Sequence, residues 1–402
     1  MMYKIERLGH GGDGIVSGPI YAARTLPGEH VDGNLDGDRL IAPKIMTPSD
    51  VRVKPKCPAY NRCGGCSLHH ADDVFVADWK AGIVLSALKA RDVDAVVRNS
   101  HTSAPNTRRR AKMEGRRTKK GALVGFHGPR SNVLQNIDGC LTLDPAIIAL
   151  IPALEAFTVQ FGSRKGSLDY WILATETGID LTIEGMPDRK DDLFVQLAEW
   201  AQLSSVARLT VGDEVVVTHT TPRLTFGSVG VTPPPKGFTQ ATVSAERFLQ
   251  NAVSEALTGS KNIADLFSGC GTFGLALAHD AAVTCFEGDK GLIEALKFGV
   301  RHASNIKVVE AYVRDLFRNP ILPMDLKYDG IVIDPPRAGA DAQVQEIAQS
   351  DVRAVAMVSC NPITFARDVR ALIDGGFTLN WLDVVDQFRW STHIEVIAKL
   401  SR

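Results

Sequence analysis

The sequence has no apolar run long enough to cross a membrane: its most apolar stretch, residues 146–161, is interrupted by Pro152 and Glu155. Its first residues, MMYKIERLGHGGDG, lack the apolar core of a signal peptide. A cytoplasmic protein without membrane association is therefore expected. Cysteine is scarce, seven in 402 residues and odd in number, which excludes a disulfide scaffold and favours a reducing compartment. Repeats and low-complexity tracts are lacking too. Neither sign of charge prevails, since 45 Lys and Arg stand against 46 Asp and Glu for a formal charge of −1, so no overall positive coat exists. What remains, 45% hydrophobic and 23% charged residues, is ordinary globular composition, and the length allows about two to four domains.

Pattern divides the chain into three. Residues 1–54 are rich in Gly and Asp, with short apolar stretches between turn signals, and read as a small β-barrel. Residues 55–230 carry a cysteine cluster, a helix expected over 73–91, a basic run and strand-like stretches at 170–174 and 179–184, and read as α+β. Residues 231–402 alternate strands with helices, which implies βαβ units, a mostly parallel sheet and an α/β domain. Ligands of such sheets sit beyond the carboxyl ends of the strands.

Most of the motifs fall at those ends. Asp265-Leu-Phe-Ser-Gly-Cys-Gly-Thr-Phe273 puts small residues and a tight loop between a strand and a helix, so that backbone can approach a nucleotide-like ligand. Glu287 ends the next strand, where a carboxylate can accept both ribose hydroxyls of an adenosyl group. The glycine spacing is not G-x-G-x-x-G, which favours S-adenosylmethionine over a dinucleotide. Asp334-Pro-Pro-Arg337 follows an apolar strand, and its prolines fix an extended turn. An Asp-Pro-Pro motif is similar to that of methyltransferases acting on bases, and Arg337 in place of an aromatic residue disfavours an exocyclic nitrogen as target. Ser359-Cys360-Asn361-Pro362 places a thiol at the rim of the same crevice, beside Arg367, where a thiolate can attack an electrophile. Cys285, by contrast, reads as a buried small hydrophobe. Alternation puts His393 and Glu395 on one face of a late strand.

Cys57, Cys63 and Cys66 have the spacing C-x5-C-x2-C, with Cys140 remote, and suit either a tetrahedral zinc or an iron–sulfur cluster. His69 and His70 read as surface residues. From Arg108 to Lys120, eight of thirteen residues are basic, with Glu114 opposing them.

Taken together these pieces resemble the S-adenosylmethionine-dependent RNA 5-methyluridine methyltransferases over nearly the whole chain. The resemblance implies a Rossmann-like methyltransferase domain at 231–402. It also implies an N-terminal OB-like TRAM barrel that binds RNA at 1–54, and a central iron–sulfur domain at 55–230. It implies cofactor contacts from Gln240, Phe267, Thr272, Glu287, Asp315 and Asp334, a [4Fe-4S] cluster on Cys57, Cys63, Cys66 and Cys140, Cys360 as nucleophile and Glu395 as base. The implied enzyme is a monomer that methylates an unpaired or flipped-out uridine, in 23S rRNA rather than transfer RNA, since the family's transfer-RNA enzymes typically lack both cluster and barrel. Three positions depart from the family pattern: Ser268 replaces a Cys, Thr242 an Asn, and Arg389-Trp390-Ser391 a Pro-x pair.

Overall fold

A computed structural model describes residues 1–187 and 193–402. β1 (Met2–Leu8), β2 (Gly14–Val16), β3 (Ile20–Ala22), β4 (His30–Asp36) and β5 (Arg39–Thr47) close into a barrel in the order β1-β2-β3-β5-β4. Its core is small, built on Ile5, Val16, Ala22, Val31 and Leu40. The carboxylate of Glu29, fully buried, accepts from the amides of Leu26 (2.8 Å) and Ser49 (3.2 Å) and pairs with Arg52, which pins the chain as it leaves the barrel.

After the cysteine loop come α1 (Asp73–Lys89) and β6 (Val97–Thr102). The Asp72 side chain caps α1, accepting from the amide of Val74 at 2.9 Å. A seven-stranded sheet follows, built from β7 (Arg110–Arg117), β8 (Ala122–His127), β9 (Leu134–Asn136), β10 (Ser167–Thr175), β11 (Gly178–Glu184), β12 (Val206–Val211) and β13 (Glu214–Thr218). Its order is β13-β12-β11-β10-β7-β8-β9. The helices α2 (Pro145–Phe161) and α3 (Leu193–Leu203) cover one face through Leu154, Phe157, Leu197 and Ala201. A hairpin of β14 (Leu224–Phe226) and β15 (Val229–Val231) leads on.

The last part is doubly wound. In chain order it contains α4 (Val243–Ala256), β16 (Asn262–Leu266), α5 (Gly274–Leu277), β17 (Ala282–Glu287), α6 (Lys290–Arg301), β18 (Val309–Val313), β19 (Gly330–Ile333), α7 (Asp341–Ala348), β20 (Ala354–Ser359), α8 (Pro362–Asp374), β21 (Thr378–Asp386) and β22 (Glu395–Ser401). The sheet runs β18-β17-β16-β19-β20-β22-β21-β6, parallel except for β22. Strand order reverses between β16 and β19, and the crevice opens there.

The segment expected as one central domain does not form one unit. β6 pairs with β21, and α1 packs on α8 and β21, so Ile83, Val84, Leu88 and Val93 share a core with Ile333, Val355 and Phe365. The β14–β15 hairpin likewise buries Leu224 and Phe226 against α4 and α6 residues. The physical reason is local: a single helix with one short strand has no second layer of its own and takes cover on the nearest open sheet edge. Among the described residues, no helix is long and apolar enough to cross a membrane.

Candidate active site

A cavity of about 1060 Å³ runs along the carboxyl edge of the C-terminal sheet to the cysteine loop. The turn after β16 begins it. Phe267 (φ 61°), Gly269 and Gly271 all take left-handed backbone, and a Cβ at Gly271 would meet Leu275 at 2.6 Å, so this loop tolerates nothing larger there. Asp265 is fully buried and its Oδ2 accepts from the Gly274 amide at 2.7 Å, while Oδ1 and the hydroxyl of Ser268 have no hydrogen-bond partner. Glu287, at the end of β17, accepts from the amides of Gly269 (3.0 Å) and Asp289 (2.9 Å). Asp315, exposed, accepts from the Phe317 amide at 3.0 Å, and the rings of Phe267 and Phe317 face each other at 5.3 Å across this end.

The reactive groups line the same crevice. Asp334 follows β19, Cys360 follows β20 and Glu395 opens β22, and all three line the cavity. Burial pushes Asp334 up to about 7, helped by Glu287. Burial pushes Glu395 up to about 8, with Asp334 adding to it and Gln387, Arg110 and Arg337 acting the other way. The Cys360 thiol rises to about 11 through burial and the neighbouring Glu395 and Asp334, with Arg337 opposing. The cation near Cys360 is thus Arg337, not Arg367 as expected. Arg367 turns away to Asp368 (2.6 Å) because α8, capped by Asn361, carries it to the other side of the turn. His393 and Glu395 also do not share a strand face. β22 begins only at Glu395, and His393 sits in the preceding turn, where its Nδ1 accepts from Arg337 at 2.7 Å.

Gln240 is buried and its Oε1 accepts from Gln387 Nε2 at 2.7 Å, while Gln387 Oε1 accepts from the Ala241 amide at 2.6 Å. Gln387 thereby ties Gln240 to the stretch leading to Glu395, and no pattern in the sequence singles it out. Thr242 serves as the N-cap of α4, accepting from the Ala245 amide at 3.2 Å. That is a role an Asn performs equally, so this departure leaves the site intact.

The basic run does not stay in solvent as a block. Arg109 is buried, paired with Glu246 and donating to the Gln240 carbonyl at 3.1 Å. Arg108 and Arg110 lie over the rings of Phe388 and Phe238, and Arg116 pairs with Glu114. Strand alternation on β7 is the reason, sending Ala111, Met113 and Gly115 into the core and Arg110, Lys112, Glu114 and Arg116 to the other face.

Cys57, Cys63, Cys66 and Cys140 line one end of the same cavity, and all are free thiols. Burial and mutual repulsion raise Cys66 to about 12. Cys63 is likewise raised by burial, with Cys140 and Cys57 adding to it, so the four thiols lie near enough to repel one another. Among the described residues, no group of three or more His, Cys, Asp or Glu side chains is arranged to hold a metal ion. His69 and His70 are buried rather than exposed. His69 stacks on Trp390 at 3.9 Å and His70 Nδ1 lies 2.5 Å from the Tyr60 hydroxyl, because the cysteine loop folds back onto the C-terminal part.

The tRNA (uracil-54, C5)-methyltransferase of Pyrococcus abyssi, solved with S-adenosyl-L-homocysteine, superposes with a TM-score of 0.78 at 22% identity over 100% of this chain and 99% of that one. The fold is therefore that of a methyltransferase preceded by a closed five-stranded barrel. RNA methyltransferases of Mesorhizobium japonicum (37% identical, covering 100% of this chain and 98% of theirs) and Brucella suis (38%, covering 99% and 97%) match end to end. The 23S rRNA (uracil(1939)-C(5))-methyltransferase of Vibrio vulnificus is 27% identical, covering 98% and 94%. The family model described as tRNA (Uracil-5-)-methyltransferase matches residues 233–402. The chain belongs to the RNA methyltransferase family of these relatives.

Proposed function

We propose that the protein methylates C5 of one uridine in 23S rRNA through a covalent adduct between Cys360 and uracil C6. The observation that carries this is the convergence of Cys360, Glu395 and Asp334 on one cavity wall, next to a nucleotide-type loop. The rRNA target rests on the full-length likeness to the Vibrio vulnificus enzyme and on the four cysteines. A transfer RNA is the second reading, favoured by the Pyrococcus abyssi enzyme.

The loop after β16 fits an adenosyl cofactor: Ser268, Gly269 and Thr272 line the cavity, the Ser268 hydroxyl has no partner, and Glu287 stands at a strand end for ribose hydroxyls. S-adenosylmethionine bound there supplies an electrophilic methyl on a sulfonium. Gln240, Phe267, Thr272, Glu287, Asp315 and Asp334, which line the cavity, would hold it. Uracil C5 is too weak a nucleophile alone. The resting Cys360 thiol first loses its proton to solvent; the thiolate so formed bonds to C6, the C5–C6 π electrons move into an enolate, and C5 takes the methyl group. Glu395 then accepts the C5 proton, the C6–S bond breaks, the double bond returns and Cys360 leaves as thiolate. Duplex RNA buries C5 and C6, so the uridine must be unpaired or flipped out.

Cys57, Cys63, Cys66 and Cys140 would hold a [4Fe-4S] cluster, which would tie the 57–66 loop to Cys140. Anaerobically purified protein should carry iron and sulfide at about four each, and Cys66→Ala should lose both. Stoichiometric zinc without sulfide overturns that assignment. For the reaction itself, 5-fluorouridine RNA should trap wild type as a covalent species on denaturing gels, because fluorine cannot leave as a proton. Cys360→Ala should trap nothing. A trapped species with Cys360→Ala overturns the mechanism.

A further inference from the structure

The departure at Arg389-Trp390-Ser391 is where the cysteine loop meets the catalytic strand. Trp390 is buried and holds a left-handed backbone (φ 60°), a conformation a bulky residue keeps only where its surroundings fix it. Its carbonyl accepts from two consecutive amides, Ser67 at 2.8 Å and Leu68 at 2.9 Å, directly after Cys66. Its ring stacks on His69 at 3.9 Å and 15°, and its indole N–H donates to Asp73 at 2.9 Å, at the start of α1. Arg389 pairs with the same Asp73 and donates to the Ser103 carbonyl at 3.0 Å. On the far side, Ser391 accepts from the His393 amide at 3.2 Å, two residues before Glu395. The barrel closes the junction: a Cβ on Gly12 would lie 3.0 Å from Thr392 and 3.2 Å from Ser67.

Hence Glu395 follows closely on a fixed Trp390, and the amide next after Cys66 is one that Trp390 holds. We propose that Trp390 is a positioning residue that latches the cysteine loop to the turn carrying Glu395, so that order in residues 57–66 is passed to the group that removes the C5 proton. The latch acts on that step and not on the addition of Cys360, which sits between β20 and α8, outside the 387–394 turn. The inference rests on the reading of Glu395 as base.

Trp390→Gly keeps a residue suited to the left-handed backbone while removing the ring and its contacts. In the full-length protein as purified, it should form the 5-fluorouridine adduct within about twofold of the wild-type rate. With ordinary uridine RNA, turnover should fall about tenfold or more and a methylated covalent species should build up, because only the proton-removal step is impaired. Hydrogen exchange in the peptide covering residues 57–72 should quicken about tenfold or more. Trp390→Phe, which keeps the stacked ring, should restore both readouts to within about twofold of wild type. Adduct formation falling in proportion to turnover, unchanged exchange in 57–72, or no recovery with Trp390→Phe overturns the latch. If wild type itself forms no adduct with 5-fluorouridine RNA, the proposed mechanism fails instead, and exchange in 57–72 alone then decides whether the two loops are coupled.

Discussion

Glu395 illustrates how a carboxylate becomes useful by burial. In water it would be ionised at neutral pH and a poor base, but enclosure beside Asp334 brings it up to about 8, within reach of a carbon acid. Arg110 and Arg337 keep it from rising further. The sign of the resulting pH dependence follows: the base works only when deprotonated, so the proton-removal step should accelerate with pH up to about 8 and level off above it. Measured as decay of the methylated adduct after a pH jump, the rate should rise about tenfold per unit below that point. Glu395→Gln should leave an adduct that forms and persists at every pH. Turnover near wild type for that variant removes Glu395 from the mechanism.

Two elements owe their behaviour to where they dock. α1 is tied to β21 by Lys80 and Asp386, 2.7 Å apart and both buried, and burial lowers the lysine's pKa and raises the aspartate's. Removing one partner strands a charge, so Lys80→Ala should destabilise by about 3–5 kcal/mol, whereas Lys80→Met with Asp386→Leu should recover much of that loss in denaturant titrations. Additive losses in the double variant would show the pair to be uncoupled. The β7–β8 hairpin makes the contrasting case. Lys119 and Lys120 sit exposed at its tip, and Arg116 is half exposed, while Arg109 is a strut inside. Replacing Lys119 and Lys120 by Ser should flatten the salt dependence of RNA binding by about 0.7–0.9 for each phosphate no longer neutralised, with stability unchanged. Arg109→Ala should instead lower stability by leaving Glu246 buried and unpaired. An unchanged salt slope would make the tip a solvated turn.

At the scale of the whole molecule, three buried acids at or behind the crevice contribute to the pH response of the fold. Asp265 (about 8), Asp334 (about 7) and Glu395 (about 8) all sit above the values near 4 they take in an unfolded chain. The folded state therefore holds protons that the unfolded state has released between about pH 4 and 8, and stability must fall as pH rises through that window. Thermal midpoints of the ligand-free protein should be lower at pH 9 than at pH 6, and Asp334→Asn should lessen the difference. A flat profile would mean the crevice is far wetter than its geometry implies.

Local chemistry was readable directly from the chain. Turn signals and short apolar stretches announced a barrel at 1–54, and β1 to β5 close one; strand–helix alternation announced the doubly wound sheet. The positions of Asp265, Glu287, Asp334 and Cys360 at strand ends followed from the same alternation, because strand periodicity and Gly and Pro punctuation are properties of a few adjacent residues. Decisions that needed distant partners were not readable. That α1 and β6 complete the C-terminal sheet, that Arg337 and not Arg367 faces Cys360, that Gln387 holds Gln240, and that Trp390 closes over His69 all depend on meetings between segments far apart in the chain. Burial of His69, His70 and Arg109 belongs with these, since a polar side chain is buried only when another part of the chain offers it a partner or a covering surface. Sequence determined which groups could react; packing of remote segments decided which of them meet, and at what proton affinity.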